Sequence, residues 1–191
     1  MAIDNGLQVT CSDLQAVGGI RQIIVADINV IDTVTAAANH TYSALTTASG
    51  ACARFEFKNE SASLAINATK ENGSTAFECV LSWNIPNLQG TAFEQLKDLQ
   101  DACIVAVVEL NGGKKLAIGI SETYASQGVN ATPWDRNQTY ANLSGFEGSS
   151  GAAYSDENGI TVTLTAKQYE LPREYTGAIT VAAGDTTATL A

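Results

Sequence analysis

An uninterrupted alternation of apolar and polar residues near the end of the chain constrains the fold most. It covers residues 160–167, which read ITVTLTAK. Successive side chains of a β-strand point to opposite faces, so this pattern predicts a strand with one buried and one solvent-facing side. The turn-forming residues 156–159 (DENG) precede the strand. Pro172 ends it, because proline cannot donate to a strand ladder.

The same period of two recurs in three earlier segments, at residues 51–58, 62–69 and 75–85. Asn72-Gly73 lies between the last two, and this dipeptide suits the positive φ angles of a two-residue turn, so it predicts a β-hairpin. Two further runs, residues 22–31 and 104–110, are almost wholly apolar and predict buried strands. Asn111-Gly112-Gly113 predicts a second hairpin, in which residues 115–121 return.

One helix is predicted after Pro86. Thr91 is a good N-cap, and Glu94 three residues later would complete a capping box. Apolar residues then recur at helical spacing, namely Phe93, Leu96, Leu99 and Cys103. We expect this helix to cover one face or one end of a sheet.

The remaining segments are poor in strand signals. Residues 122–150 are rich in Gly, Ser, Asn and Thr, which predicts a long loop or a loop with one short strand near residues 138–143. Residues 1–20 are interpreted as an N-terminal arm. Residues 176–191 form an Ala/Thr-rich extension with one weak strand at 178–182 or a flexible end. The prediction is one mainly β domain over residues 1–175, an antiparallel sandwich or barrel with one flanking α-helix.

The charge of the chain argues against nucleic-acid binding. The formal net charge is -10, whereas proteins that bind nucleic acids rely on Lys and Arg. No apolar run approaches the length of a membrane span, and no secretory signal is visible, so we expect a soluble protein made in a cytoplasm. In that compartment the four cysteines (Cys11, Cys52, Cys79 and Cys103) are expected to be reduced.

Catalytic motifs are absent from the sequence. There is no phosphate-binding loop, no nucleophile elbow and no metalloprotease motif. His40 is the one histidine, and its polar surroundings predict an exposed loop residue. Asp156 and Glu157 could hold a calcium ion, but adjacent carboxylates in a turn are more often solvated. We therefore expect no enzyme activity, no cofactor and no metal.

Trp134 stands apart from the core pattern. It follows a proline in a polar segment and lies two residues before Arg136, an arrangement typical of an interface anchor. The alternative is a tryptophan that folds back on its own domain. Trp83 alternates with core residues and is predicted to be buried.

Two stretches at opposite ends of the chain carry a resemblance to a known class of proteins. Residues 11–14 (CSDL) and 18–23 (GGIRQI) resemble the opening of tail tube proteins from tailed bacteriophages. Residues 151–159 (GAAYSDENG), the Thr/Val strand and Leu171-Pro172-Arg173 resemble their closing hairpin. The resemblance implies a small sandwich or barrel that assembles into six-fold rings. Such rings stack into a hollow tube and would contact other tail proteins.

The tube would carry DNA without binding it, and the acidity of the chain suits such a conduit. An acidic lumen repels phosphates, whereas a basic one would bind them through counterion release. Glu56 and Glu78, on the outward faces of alternating strands, are the candidate lumen-facing acids. Long strands with open edges also suit assembly, since a neighbour can complete the sheet.

Two other interpretations stay open. One is a different virion part, either a capsid decoration protein or a head-tail connector. The other is a carbohydrate-binding β-sandwich with a platform of aromatic side chains, namely Tyr124, Trp134, Tyr140 and Tyr154.

Overall fold

The computed structural model describes residues 17–47, 52–121, 139–153, 156–181 and 186–190. These residues form thirteen strands and one α-helix, which confirms the predicted mainly β fold with one helix. The strands are β1 Ile20–Asp27, β2 Ile31–Ala37, β3 Thr41–Thr47, β4 Cys52–Phe55, β5 Ser63–Glu71, β6 Ser74–Pro86, β7 Ile104–Leu110, β8 Lys115–Ile118, β9 Ala141–Ser149, β10 Gly159–Gln168, β11 Arg173–Tyr175, β12 Ile179–Val181 and β13 Thr187–Leu190. The helix α1 spans Gly90–Gln100.

Strands β1 and β7 form the centre of the molecule. They pair antiparallel over nearly their full length, from Ile20↔Leu110 to Asp27↔Ile104. Both faces of this pair are buried, as the continuous apolar runs predicted. Alternate residues contribute to two separate cores, with Ile23, Val25, Ala106 and Val108 in the first and Ile24, Ala26, Val105 and Val107 in the second.

The first core lies between the central pair and a four-stranded antiparallel sheet in the order β5-β6-β10-β9. The predicted alternation of β10 is confirmed, because Ile160, Val162, Leu164 and Ala166 are all fully buried. Trp83 on β6 is also fully buried and contacts Phe55, with 5.5 Å between the ring centroids. Helix α1 closes this core with Ala92, Leu96 and Leu99.

The second core lies under the remaining strands, in the order β12-β13-β4-β1-β7-β8-β11-β3-β2. This path curls into a half-barrel, so that β13 contacts β3. All described strand pairs are antiparallel except β11–β3. Tyr42, Leu45, Tyr175 and Leu190 are among the buried side chains here.

Both predicted hairpins are present. The β5–β6 turn consists of Asn72 and Gly73 with φ of 50° and 83°, the left-handed geometry that suits the right-handed twist of the strands. The β7–β8 turn has Gly113 at φ 83°. The apolar run from residue 22 is interrupted, however. Asp27 accepts a hydrogen bond from the Asn29 backbone N–H (2.8 Å) and starts a 3-10 helix, Ile28–Val30, before β2 begins.

The predicted start of the helix is wrong. The helix begins at Gly90 with Gln89 as its N-cap, so Thr91 lies inside the first turn. The Gln89 side chain makes no capping hydrogen bond. The buried stripe fixes this register, because Ala92, Leu96 and Leu99 recur at i, i+4 and i+7 and face the first core. Phe93, expected to be buried, lies on the exposed side.

Of the two alternatives for residues 122–150, the loop with one short strand is nearer to the structure, but the strand is longer than predicted and lies later than residues 138–143. Residues 141–149 form β9, which pairs with β10 from Ala141↔Ala166 to Ser149↔Gly159. Pairing with the long edge of β10 overrides the low strand propensity of Gly145 and Gly148. Residues 122–138 lie outside the described part of the chain.

The C-terminal extension is part of the sheet in its described residues. Strand β12 pairs with β13, and β13 pairs with β4. Ala188 and Leu190 are buried in the second core. The local sequence has a weak strand preference, and burial of these two apolar side chains provides the stabilisation for the strand.

Candidate assembly site

The outer side of the β5-β6-β10-β9 sheet faces away from the first core, and we call it the polar face. Residues directly opposite in register share a face, so the alternation of β10 fixes which side chains point outward. Hydroxyl and amide groups predominate: the polar face consists of Ser63, Ala65, Asn67, Thr69, Glu71, Ser74, Ala76, Glu78, Val80, Ser82, Asn84, Pro86, Asn142, Ser144, Gly145, Glu147, Ser149, Gly159, Thr161, Thr163, Thr165 and Lys167.

Hydrogen bonds order the hydroxyl groups on this face. Thr165 Oγ1 donates to Ser144 Oγ at 2.9 Å, and Ser144 Oγ donates to the backbone oxygen of Thr163 at 3.0 Å. Strand β9 has a register shift at this place, which brings Ser144 over β10. The three threonines of β10 thus lie in a regular row along the middle of the face.

The charges of the polar face are few and mostly negative. Glu78 lies 3.7 Å from Lys167, so one carboxylate largely neutralises the single ammonium group of this set. Glu147 adds a second carboxylate on the neighbouring strand. With Glu71 at the turn end of β5, the face as defined formally carries three negative charges and one positive charge. An excess of negative charge disfavours contact with polyanions, whose binding depends on cationic side chains.

Strand β5 is one outer edge of this sheet. Within the described residues it pairs only with β6, and its nine residues are in register without a bulge. Edge strands of stable monomers are usually short, bulged or covered. Lys70 and Glu71 are its charged residues, and both lie at the end next to the turn.

Strand β9 is the opposite edge. It contacts β7 at one place, Ile104↔Ala141. Beyond Ala141, the strand has no second strand partner among the described residues, and helix α1 contacts it. Gly119 makes room for this junction, since its φ is 81° and a Cβ there would lie 2.5 Å from the Ile104 oxygen.

Apolar side chains lie at both edges on the core-facing side. Ile66 on β5 is 41% exposed, and Phe146 on β9 is 53% exposed. Phe146 is opposite Val162, which is opposite Trp83, so its ring continues a row of core residues. Leu88 lies over Gly148 beside it and is also partly exposed. Each edge therefore has a partly exposed apolar side chain beside backbone that pairs with no further described strand.

The two proposed lumen-facing acids lie on different elements. Glu78 is on the polar face, as its outward position in β6 predicted. Glu56 follows the end of β4, outside the four strands of this sheet, and lies 2.8 Å from Arg54. The proposed interface residues Trp134 and Arg136 lie outside the described residues, as do Tyr124 and Tyr154. Tyr140 is half-buried, packs against the second core and borders a surface pocket with Asn142, Thr165 and Lys167.

Sequence patterns did not identify the apolar edges. Ile66 is an apolar residue of the alternating segment 62–69, but nothing in its local sequence shows that its face is left partly uncovered. Phe146 lay in a segment interpreted as loop. A single phenylalanine between glycines is a weak strand signal, and only the pairing with β10 assigns it to the core side.

The reactive groups of the described chain have structural roles. His40 lies in the exposed β2–β3 turn at φ 60°, with Nε2 2.8 Å from the Leu171 oxygen. Burial, with a smaller effect of Glu78, raises the pKa of the Cys79 thiol to about 11, so it is protonated and a poor nucleophile at neutral pH. Cys52, Cys79 and Cys103 form no disulfides with one another.

Asp156 belongs to a turn. Its carboxylate accepts hydrogen bonds from the backbone N–H groups of Ala153 and Ala152, both at 2.8 Å, and these bonds lower its pKa. Its neighbour Glu157 forms an ion pair with Lys58 at 3.0 Å. Among the described residues, no three side chains of the types that bind metals cluster together.

One buried polar cluster was not expected from the sequence. Gln168 is almost fully buried; its Oε1 accepts from the Gly119 N–H (3.2 Å) and its Nε2 donates to the Glu170 oxygen (2.9 Å). The Glu170 carboxylate accepts hydrogen bonds from Ser121 (2.6 Å) and Arg173 (3.2 Å). The cluster joins the end of β8 to the β10–β11 connection, and these hydrogen bonds between distant segments indicate a structural role.

No helix in the described residues combines the length and apolar character needed to cross a membrane. In comparisons with known proteins, no family model, no curated protein and no solved structure matches this chain.

Proposed function

We propose that the chain is the structural subunit of a bacteriophage tail tube, in which copies of it form closed rings that stack around a DNA passage. The observation that carries the proposal is the sheet β5-β6-β10-β9: β5 is a bulge-free outer edge, β9 has no second strand partner beyond Ala141 among the described residues, and the outer face is polar. The resemblance of the two terminal stretches supports the same assignment. In this function the protein has no turnover; its shape in the polymer is what matters.

The strand directions allow the sheet to continue from copy to copy. All three pairings within the sheet are antiparallel, so β5 and β9 run in opposite directions. If β9 of one copy lies beside β5 of the next, the new pair is antiparallel as well. Such head-to-tail contacts close into a ring when the rotation between copies closes.

Side chains at the two edges suit this contact. Phe146 and Ile66 are both on the core-facing side, so a joined sheet would continue the apolar layer across the boundary. Full burial of a side chain of this size is worth about 1.5–3 kcal/mol. The unpaired backbone groups of both edges would gain partners at the same time.

In a ring of this kind the polar face would line the lumen. Hydroxyl groups, Glu78 and Glu147 would then face the DNA, and Lys167 would be held near Glu78. With few free cations, such a wall gives DNA little to bind, so it could slide. In this proposal the subunit is assembled in the host cytoplasm and functions in the virion tail, next to other tail proteins.

A proline substitution in β5 tests the edge contact. The two-residue turn makes Glu71 and Ser74 a hydrogen-bonded pair, so Ala68, three residues before Glu71, directs its N–H away from β6. We expect Ala68→Pro to remove a donor from the open edge and to abolish assembly while the monomer still folds. Ala68→Val, which keeps the N–H, is the matched control and should assemble.

The measurements are analytical ultracentrifugation and negative-stain electron microscopy over a range of protein concentrations. Rings or tubes from the unmodified chain and from Ala68→Val, but not from Ala68→Pro, are the expected result. A chain that stays monomeric at the highest concentration contradicts the proposal. Isolated virions can also be labelled with antibodies against the protein. Label on the head instead of the tail would support the capsid decoration alternative.

A further inference from the structure

The sequence contains four Asn–Gly pairs, at residues 5–6, 72–73, 111–112 and 158–159. Glycine has no Cβ to shield its backbone nitrogen, so this nitrogen can reach the side-chain carbonyl carbon of the preceding asparagine. Asn5 lies outside the described residues. The other three pairs have the same local chemistry, and any difference between them must come from the fold.

Asn111 and Asn158 are held in place by hydrogen bonds. Asn111 Nδ2 donates to the Gly18 oxygen at 2.9 Å, and its backbone N–H donates to the Gly19 oxygen at 3.1 Å. Asn158 Oδ1 accepts from the Leu88 N–H at 3.3 Å, and its backbone oxygen accepts from the Asn87 N–H at 3.0 Å. Rotation of either side chain toward the following glycine first breaks such contacts.

Asn72 has a different environment. It is exposed at the tip of the β5–β6 hairpin, and its side chain forms no hydrogen bond to any described residue. The third strand, β10, ends at Gln168↔Phe77, so residues 69–76 form a two-stranded ribbon beyond the sheet. A two-stranded ribbon is marginally stable, and its local opening costs little free energy.

We propose that Asn72 is a site of spontaneous deamidation, a chemical modification that the fold directs to this hairpin. The Gly73 nitrogen attacks Cγ of Asn72, and the side-chain amide nitrogen leaves as ammonia with the proton that Gly73 gives up. Water then opens the resulting succinimide at one of its two carbonyls, which yields aspartate or isoaspartate. No oxidant, enzyme or cofactor takes part.

The products change the hairpin in two ways. Isoaspartate adds one carbon to the backbone, which the two-residue turn with φ of 50° and 83° does not accommodate. Aspartate keeps the turn but places a new carboxylate beside Glu71. Either product alters the outer edge of the sheet at its charged end. The modification itself does not depend on the proposed assembly.

Peptide mapping by mass spectrometry of the full chain, aged at mildly alkaline pH, tests this inference. In the native protein we expect Asn72 to convert about tenfold faster than Asn111 and Asn158, since local opening limits the reaction. A parallel sample in urea, where all three pairs are unfolded, should convert at similar rates at the three sites.

Equal or faster conversion of Asn111 or Asn158 in the native protein would overturn the inference. The inference would also be overturned if Asn72 stayed unmodified in the native protein at times when it has converted in the urea sample. The variant Asn72→Gly is the matched control, because glycine also adopts the positive φ of this turn. It should keep the hairpin and remove the modified peptide from the map.

Discussion

Trp83 lies in the first core and is the largest fully buried side chain among the described residues. Its indole Nε1 is buried and has no hydrogen-bond acceptor among the described residues. We expect Trp83→Ala to lower the free energy of unfolding by about 3–5 kcal/mol. Trp83→Phe should cost less than Trp83→Ala, because it keeps an aromatic ring beside Phe55 and removes the unsatisfied donor. Urea unfolding followed by circular dichroism measures both; equal losses would contradict the expected contribution of the retained ring.

Cys79 makes stability depend on pH in the alkaline range. Burial raises its pKa from 9.0 in the unfolded chain to about 11 in the folded protein. Below pH 9 the thiol is neutral in both states, and its contribution to stability is fully present. Between pH 9 and about 11 the unfolded state loses the proton first, so we expect up to about 2.7 kcal/mol of stability to be lost.

The variant Cys79→Ala isolates this effect. Its unfolding free energy should fall less steeply between pH 9 and 11 than that of the unmodified chain, measured by urea titration at each pH. Cys103→Ala is the control, because it also removes a thiol but from a half-buried position. Equal slopes for all three proteins would mean that Cys79 ionises as easily in the folded state as in the unfolded state.

At the scale of elements, a comparison of two glycines distinguishes the cost of backbone strain from the cost of a steric clash. Gly73 in the β5–β6 turn and Gly119 at the end of β8 have nearly the same φ, 83° and 81°. A Cβ at Gly73 meets nothing within 4 Å, whereas a Cβ at Gly119 would lie 2.5 Å from the Ile104 oxygen and 2.8 Å from the Ala141 nitrogen. We expect Gly73→Ala to cost about 1–2 kcal/mol, the left-handed penalty alone.

Gly119→Ala should cost about 1–3 kcal/mol more, because the methyl group also pushes apart the place where β9 joins β7. Thermal and urea unfolding of the two variants measure this difference. Gly18→Ala is a neutral control, since its Cβ would meet nothing within 4 Å and its φ is not left-handed. Equal costs at Gly73 and Gly119 would contradict the close approach at this junction.

At the scale of the whole molecule, the two cores share their central strands. Because β1 and β7 contribute alternate residues to each core, we expect the cores to unfold together. Leu164→Ala in the first core and Leu45→Ala in the second should each cost about 2–5 kcal/mol and shift one common transition. Calorimetry and circular dichroism should then give a single coincident transition for each variant, whereas two separate transitions would show independent cores.

Local sequence patterns predicted the elements whose signals are strong. The alternation in β10, the continuous runs of β1 and β7 and the two-residue turn at Asn72-Gly73 are all in the structure. Strand β9 and the C-terminal strands were missed or underestimated, because their Gly, Ala and Thr residues have weak preferences. The helix register was misjudged for a similar reason, since the small Ala92 contributes more to the core than the exposed Phe93.

By itself, the sequence determined the fold class, because period-two patterning, the turn dipeptides and the single helical segment depend on neighbouring residues alone. Only the tertiary structure decided which strands are edges and which surface is polar on the outside. Edge position and surface exposure depend on pairing between residues far apart in the chain, such as Ala141 with Ile104 and Phe146 with Val162. These distant pairings bring Ile66, Phe146 and the row of threonines into one sheet, and no local pattern contains that information.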